Sequence, residues 1–171
     1  ISHKFMKLIE ECMTDPNIDD TWHLKDPHTK EVKETISARD MWQRILEMRM
    51  QTGEPYLHFI DTSNEKLPVW LKQQGLQINQ SNLCSEIILP TNKERTAVCC
   101  LSSLNLEYFD EWSKEKGFLK DVLEMLDNVL TMFINEAPDS IERARYSAMR
   151  ERSVGVGALG FHAYLQKKGV P

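Results

Sequence analysis

The sequence predicts an α/β fold, and three observations carry that prediction. Several stretches repeat apolar residues at steps of three and four, the spacing of one helix face. Others read as extended, with β-branched residues bounded by asparagine and proline. A glycine-rich run, VGVGALG at 154–160, reads as a strand or turn feeding a helix. These local patterns do not specify which way the strands pair.

The elements follow in order. Phe5, Leu8, Ile9 and Cys12 predict a helix over 3–13, stopped at Pro16. Residues 17–36 are polar and irregular and read as short strands or loops. Ser37 with Asp40 three residues on marks a helix start; Met41, Ile45, Leu46 and Met48 give its apolar face, and Gly53 its end. YLHFID at 56–61 alternates like a strand, and a short helix is expected at 67–73, closed by Gly75. LQINQSNLCSEIILP and TAVCCLSSLNL read as two extended runs joined through TNKERT by a hairpin-like turn. The strongest helix is 118–138, with Leu119, Val122, Leu126, Val129 and Phe133 in register and Pro138 at its end. A basic helix is expected at 139–149. No internal repeat, low-complexity tract or interdomain linker is visible.

At 171 residues the chain can bury one real core. A net charge of −5 excludes bulk attraction to nucleic acid or anionic membrane. No apolar run reaches the ~18 residues of a membrane span, and no signal peptide is visible. The four cysteines, at 12, 84, 99 and 100, lack the spacing of a disulfide scaffold. Free thiols with eight methionines fit a reducing cytoplasm. A start at Ile1 and an end at Pro171 lead us to expect a piece of a longer protein.

Chemistry concentrates in QSNLCSEIILP, residues 80–90. In an extended segment Asn82, Cys84 and Glu86 would share one face, because side chains alternate with period two. A sulfur would then lie between an amide and a proton acceptor, the makings of a reactive cysteine with a general base. The same residues also accommodate an inert cysteine buried in a strand, with Asn82 and Glu86 solvated at its mouth. Cys99 and Cys100, as neighbours in a strand, would point to opposite faces; either a redox thiol or core cysteines fit. No C-x-x-C is present and the histidines are scattered, so no zinc clamp is expected. GVGALG matches G-x-G-x-x-G, yet charged RERS precedes it and this sequence ends before the acidic residue of that fingerprint could appear. Tight packing at a strand-to-helix turn is the expectation there, a structural role is expected for His162, and a solvated face or subunit contact for the arginines of RARYSAMRER.

Together, QSNLCSEIILPT and TAVCCLSSLNLEYFDEW are specific: the chain resembles the catalytic large (alpha) subunit of class I ribonucleotide reductase. KEVKETISARDMWQRILEMRMQTGEPYLHFIDTSN and DNVLTMFINEAPDSIERARYSAMRERSVGVGALGFHAYLQKKGVP extend the resemblance over nearly the whole chain, in the manner of bacterial or phage-encoded forms. It implies that residues 1–171 are part of a ten-stranded α/β barrel, helix-rich and not closed, with the radical-cysteine loop near 80–90. It further implies that Cys84 becomes a thiyl radical and takes hydrogen from the ribose 3′ carbon. Glu86 would accept the 3′ hydroxyl proton, and Asn82 would hold and polarise the substrate hydroxyls. Cys99 would be half of a redox pair whose partner lies outside this chain, and Cys100 receives no role.

The resemblance implies no cofactor or metal bound by this chain. The radical would come from a metal-containing small (beta) subunit, and ATP and dNTP effectors would bind outside this segment. Expected partners are a ribonucleoside diphosphate substrate, that small subunit, thioredoxin or glutaredoxin, and a second copy of the full alpha subunit; nucleic acid and membrane are not expected. The isolated chain is expected to be inactive. Two other readings stand beside this one. The chain would be a non-catalytic split-subunit piece that assembles with complementary chains, or a thiol hydrolase pairing Cys84 with His58 or His162.

Overall fold

In the computed structural model, which describes residues 1–170, the chain forms two compact units, Ile1–Leu89 and the stretch from Pro90 onward. The first opens on helix α1, His3–Thr14, where the Ser2 hydroxyl oxygen accepts the Phe5 N–H at 3.2 Å and so satisfies one of the free donors of the first turn. Its apolar face buries Phe5, Ile9 and Cys12. Strands β1, Thr21–Lys25, and β2, Val32–Ser37, form an antiparallel hairpin running from Thr21 opposite Ser37 to Lys25 opposite Val32. Its loop is nucleated by Asp26, whose carboxylate accepts the N–H groups of His28 and Thr29, both at 2.8 Å.

Helix α2, Ala38–Thr52, starts and stops as its sequence predicts. Ser37 Oγ accepts the Asp40 N–H at 3.1 Å, and Gly53 caps the end in a left-handed conformation. Phe5, Ile9 and Ala38 form a core, with the Phe5 ring edge-on to Trp22 at 5.1 Å. A second core joins α3, Ile60–Lys66, and α4, Val69–Gln73, to the segment that follows them: Leu67, Leu71, Leu76 and Ile78 are all buried. The strand expected at 56–61 is not formed. Residues 56–59 are irregular, and Ile60 already begins α3, where Asp61 supplies negative charge to the first turn and Asn64 bonds back to the Ile60 carbonyl at 3.0 Å. Six alternating residues were too short a signal against those helix-favouring groups.

In the second unit, β3 is Cys100–Asn105. A 3₁₀ turn at Leu106–Tyr108 leads to α5, Phe109–Trp112, and then to α6, Phe118–Glu136, which buries Leu126 and Leu130. Helix α7, Glu142–Glu151, follows a second 3₁₀ turn, and β4, Val154–Leu159, runs into α8, Phe161–Lys168. The hairpin expected between the two extended runs is absent. Strand β3 pairs in parallel with β4, Cys100 opposite Val154 through Asn105 opposite Leu159. Parallel neighbours need a crossover, and α5, α6 and α7 provide it.

The glycines of VGVGALG serve this pairing, with the tight packing expected at a strand-to-helix turn. A Cβ on Gly155 would stand 3.0 Å from Leu101 Cδ2, and one on Gly157 would stand 3.1 Å from Ser103 Oγ. Gly160, at φ +69°, turns the chain from β4 into α8 directly against Asn105. Tyr164 of α8 donates to the Asp110 carboxylate at 3.0 Å and Lys168 pairs with it at 2.6 Å, anchoring α8 to α5. Two of the four arginines of RARYSAMRER are paired within the unit, Arg145 with Asp139 at 3.2 Å and Arg152 with Asp127 at 2.7 Å, while Arg143 and Arg150 are exposed. No described helix is long and apolar enough to cross a membrane.

Candidate functional site

Asn82, Cys84 and Glu86 lie together, but on a turn and not on a strand. Asn82 is responsible. Its N–H donates to the Ile87 carbonyl at 3.2 Å, its side-chain Oδ1 accepts the Ile87 N–H at 2.9 Å, and its carbonyl accepts the Ser85 N–H at 3.2 Å. An asparagine that bonds nearby backbone in this way competes with strand pairing. Ser85 completes the turn at φ +67°. The period-two argument for a shared face is therefore replaced by loop closure: a six-residue loop, pinned at Asn82 and Ile87, holds Cys84 near its tip.

Cys84 is exposed, as are Asn82 and Glu86, while Leu83 beside it is 90% exposed. This removes the reading of Cys84 as an inert buried thiol. The buried strand expected from Ile87 to Leu89 is also absent, since Ile88 is 38% exposed. Because Asn82 uses Oδ1 to close the loop, its Nδ2 group is what remains to donate to a ligand. The exposed Glu86 carboxylate is an acceptor on the same loop.

One further residue steadies the approach to this loop, and the sequence pattern did not single it out. The Asn64 side chain donates to the Ile78 carbonyl at 2.9 Å and accepts the Ile78 N–H at 2.9 Å, imitating a strand neighbour for the segment leading to Cys84. Of the two histidines in the hydrolase reading, His58 has its Nε2 2.7 Å from Ser63 Oγ. His162 is exposed on α8.

Cys99 belongs to the second unit and stands one residue before β3, half-buried. Its sulfur lies 3.7 Å from the Cys100 carbonyl oxygen and 3.7 Å from where a Cβ on Gly155 would stand, so the missing side chain there makes its room. Burial first, then the neighbouring charge of Cys100, push the Cys99 thiol above the ordinary cysteine range. Cys99 is thus held as a thiol at neutral pH. Its alkylation by iodoacetamide should reach half of its limiting rate above pH ~8.5, the midpoint of an ordinary cysteine; a midpoint at or below that pH would contradict this environment. All four cysteines are free. Among the described residues, no group of three or more His, Cys, Asp or Glu side chains is arranged to hold a metal ion.

The family model described as ribonucleotide reductase, barrel domain, matches residues 1–171. The ribonucleoside-diphosphate reductase large subunit of Invertebrate iridescent virus 3 is 59% identical over 149 residues, which is 87% of this chain and 24% of that protein. The putative large subunit of Frog virus 3 (isolate Goorha) is 50% identical over 174 residues, covering 100% of this chain and 29% of its own length. Among solved structures, the class Id ribonucleotide reductase alpha subunit of Actinobacillus ureae superposes with a TM-score of 0.76 at 33% identity, over 99% of this chain and 28% of that one. The identity to these two viral proteins exceeds that to this bacterial one. This chain spans less than a third of the length of each of these relatives.

Proposed function

Because this chain belongs to the ribonucleotide reductase barrel-domain family, we propose that it is part of the catalytic large subunit of a ribonucleoside-diphosphate reductase. The observation that carries the reading is the Asn82–Ile87 loop, which carries an exposed thiol, an amide and a carboxylate within six residues, in a chain matched by the barrel family throughout. The helix-rich α/β make-up, with β3 and β4 as parallel neighbours, agrees with a portion of an α/β barrel.

In this reading Cys84, oxidised to a thiyl radical, takes the hydrogen atom from the ribose 3′ carbon. The exchange is reversible because S–H and ribose C–H bonds are close in strength. Glu86 accepts the 3′ hydroxyl proton, and Asn82 Nδ2 holds a substrate hydroxyl beside the sulfur. The 2′ hydroxyl leaves as water. Two electrons and two protons come from a dithiol that closes to a disulfide, with Cys99 as one of its sulfurs and the other outside this chain. Burial suits Cys99 to this work, since a thiol kept protonated delivers its proton with its electron.

The activity belongs to the full-length subunit, of which these residues are the part bearing Cys84 and Cys99. Its partners are a ribonucleoside diphosphate, a metal-containing small subunit that supplies the radical, thioredoxin or glutaredoxin as reductant, and a second large subunit. ATP and dNTP effectors bind elsewhere in the subunit, and the free thiols suit a reducing cytoplasm. The test is product formation: the full-length subunit, given its small subunit, a dithiol and a ribonucleoside diphosphate, should release the 2′-deoxynucleotide. Failure to do so under radical-generating conditions would overturn the reading.

A further inference from the structure

The second unit contains a buried ion pair for which the proposed chemistry has no use. Arg95 Nη1 meets Glu151 Oε1 at 2.6 Å, with the two side chains 8% and 6% exposed. The Arg95 guanidinium also lies over the Tyr146 ring, 5.1 Å from its centroid. The second carboxylate oxygen, Glu151 Oε2, is buried without a hydrogen-bond partner. Taking two charges out of water is costly, and a well-packed apolar pair would hold two elements together at least as well. An ion pair adds register: one guanidinium must meet one carboxylate.

The register it sets concerns Cys99. Arg95 stands four residues before Cys99, and Glu151, the last residue of α7, stands four before Gly155, the residue that makes room for the Cys99 sulfur. Two backbone bonds repeat the attachment. Thr96 N–H donates to the Arg143 carbonyl at 3.3 Å, and Cys100 N–H donates to the Ser153 carbonyl at 3.4 Å. Residues 96–99 lie outside the β3 ladder, and these ties and the ion pair attach the segment to α7 and its exit.

We propose that Arg95 and Glu151 are positioning residues for Cys99: their buried pair fixes the register of residues 95–99 against α7 and β4, and with it the place of the sulfur that closes the disulfide. This rests on the reading of Cys99 as one of the two redox sulfurs. The step served is the oxidation of two thiols to one disulfide, which releases two electrons and two protons to the nucleotide as its 2′ hydroxyl departs as water. Loss of the pair lets the segment slide without removing any group that touches substrate.

The test uses the full-length large subunit with its small subunit and a dithiol. Glu151→Gln and Arg95→Met should each lower kcat about tenfold or more, with the KM for the ribonucleoside diphosphate within about twofold of the parent. The disulfide formed by Cys99, equilibrated against a glutathione buffer, should shift in stability by about tenfold, close to 30 mV for this two-electron couple. Arg95→Lys keeps the charge and the fold but loses the fork and the ring stack, and should fall between. The exchanged pair Arg95→Glu with Glu151→Arg should recover part of both readouts. Lower thermal stability with unmoved kcat and potential, in the Arg95→Lys protein or any other folded variant, would show that the pair only stabilises the unit. Cys99→Ser separates this from the parent reading: turnover that survives that change overturns the role of Cys99 itself, whereas turnover that needs Cys99 while ignoring Arg95 and Glu151 overturns the positioning alone.

Discussion

Replacing Cys84 by serine in the full-length subunit should abolish deoxynucleotide formation while leaving the protein folded. The two halves of this expectation have separate causes. Cys84 is exposed near the tip of a loop closed by Asn82 and Ile87, and its side chain supports no core. A surface substitution of one heavy atom should move stability by no more than about 0.5 kcal/mol. The chemistry, by contrast, depends on sulfur. An O–H bond is far stronger than S–H or the ribose C–H, so a serine oxygen is not converted to a radical that exchanges hydrogen evenly with the sugar. We expect a loss of at least about three orders of magnitude in turnover, equivalent to about 4 kcal/mol or more of barrier. Activity within about tenfold of the parent, with urea midpoints matched, would remove Cys84 from the mechanism.

The largest structural effect is expected at Gly160. Its φ of +69° is strained for any side chain and most of all for a β-branched one. A Cβ there would overlap Asn105 Oδ1 and stand 3.2 Å from the Glu107 backbone nitrogen. Those atoms are not idle, because Asn105 Oδ1 accepts the Glu107 N–H at 3.1 Å and caps the 3₁₀ turn after β3. Gly160→Val therefore adds backbone strain, breaks a cap and separates the exits of β3 and β4. Together these should cost about 3 kcal/mol or more, read as a lower urea midpoint, with Gly160→Ala intermediate. An unchanged midpoint for the valine protein would contradict the close approach of these two strand ends.

Much of this architecture was legible because local signals agreed with one another. Helix α2 carried its cap at Ser37, its apolar face and its stop at Gly53 in one stretch, and α6 repeated apolar residues over its full length. The turn at Gly160 was legible because glycine tolerates both the close backbone approach and the positive φ that such a turn needs. The 80–90 loop was misread in shape. Period two assumes a ladder, and Asn82 supplied its own partner for the backbone of Ile87 in place of one. The pairing of β3 with β4 was illegible for another reason: Cys100 and Val154 are brought together only by the intervening helices, and nothing near either residue names the other. The same holds for Arg95 and Glu151, two charges in ordinary-looking polar stretches whose burial emerges only when the unit is assembled.

The central claim is that Cys84 exchanges hydrogen with the ribose 3′ carbon. Its most direct measurement is a competitive isotope effect on reduction of ribonucleoside diphosphate carrying hydrogen or deuterium at that carbon, catalysed by the full-length subunit with its small subunit and a dithiol. The account expects residual substrate to become enriched in deuterium at the 3′ position as deoxynucleotide accumulates. Product formed with no enrichment at any extent of conversion would contradict this account, in which a reversible, isotope-sensitive transfer of the 3′ hydrogen to Cys84 precedes the loss of water.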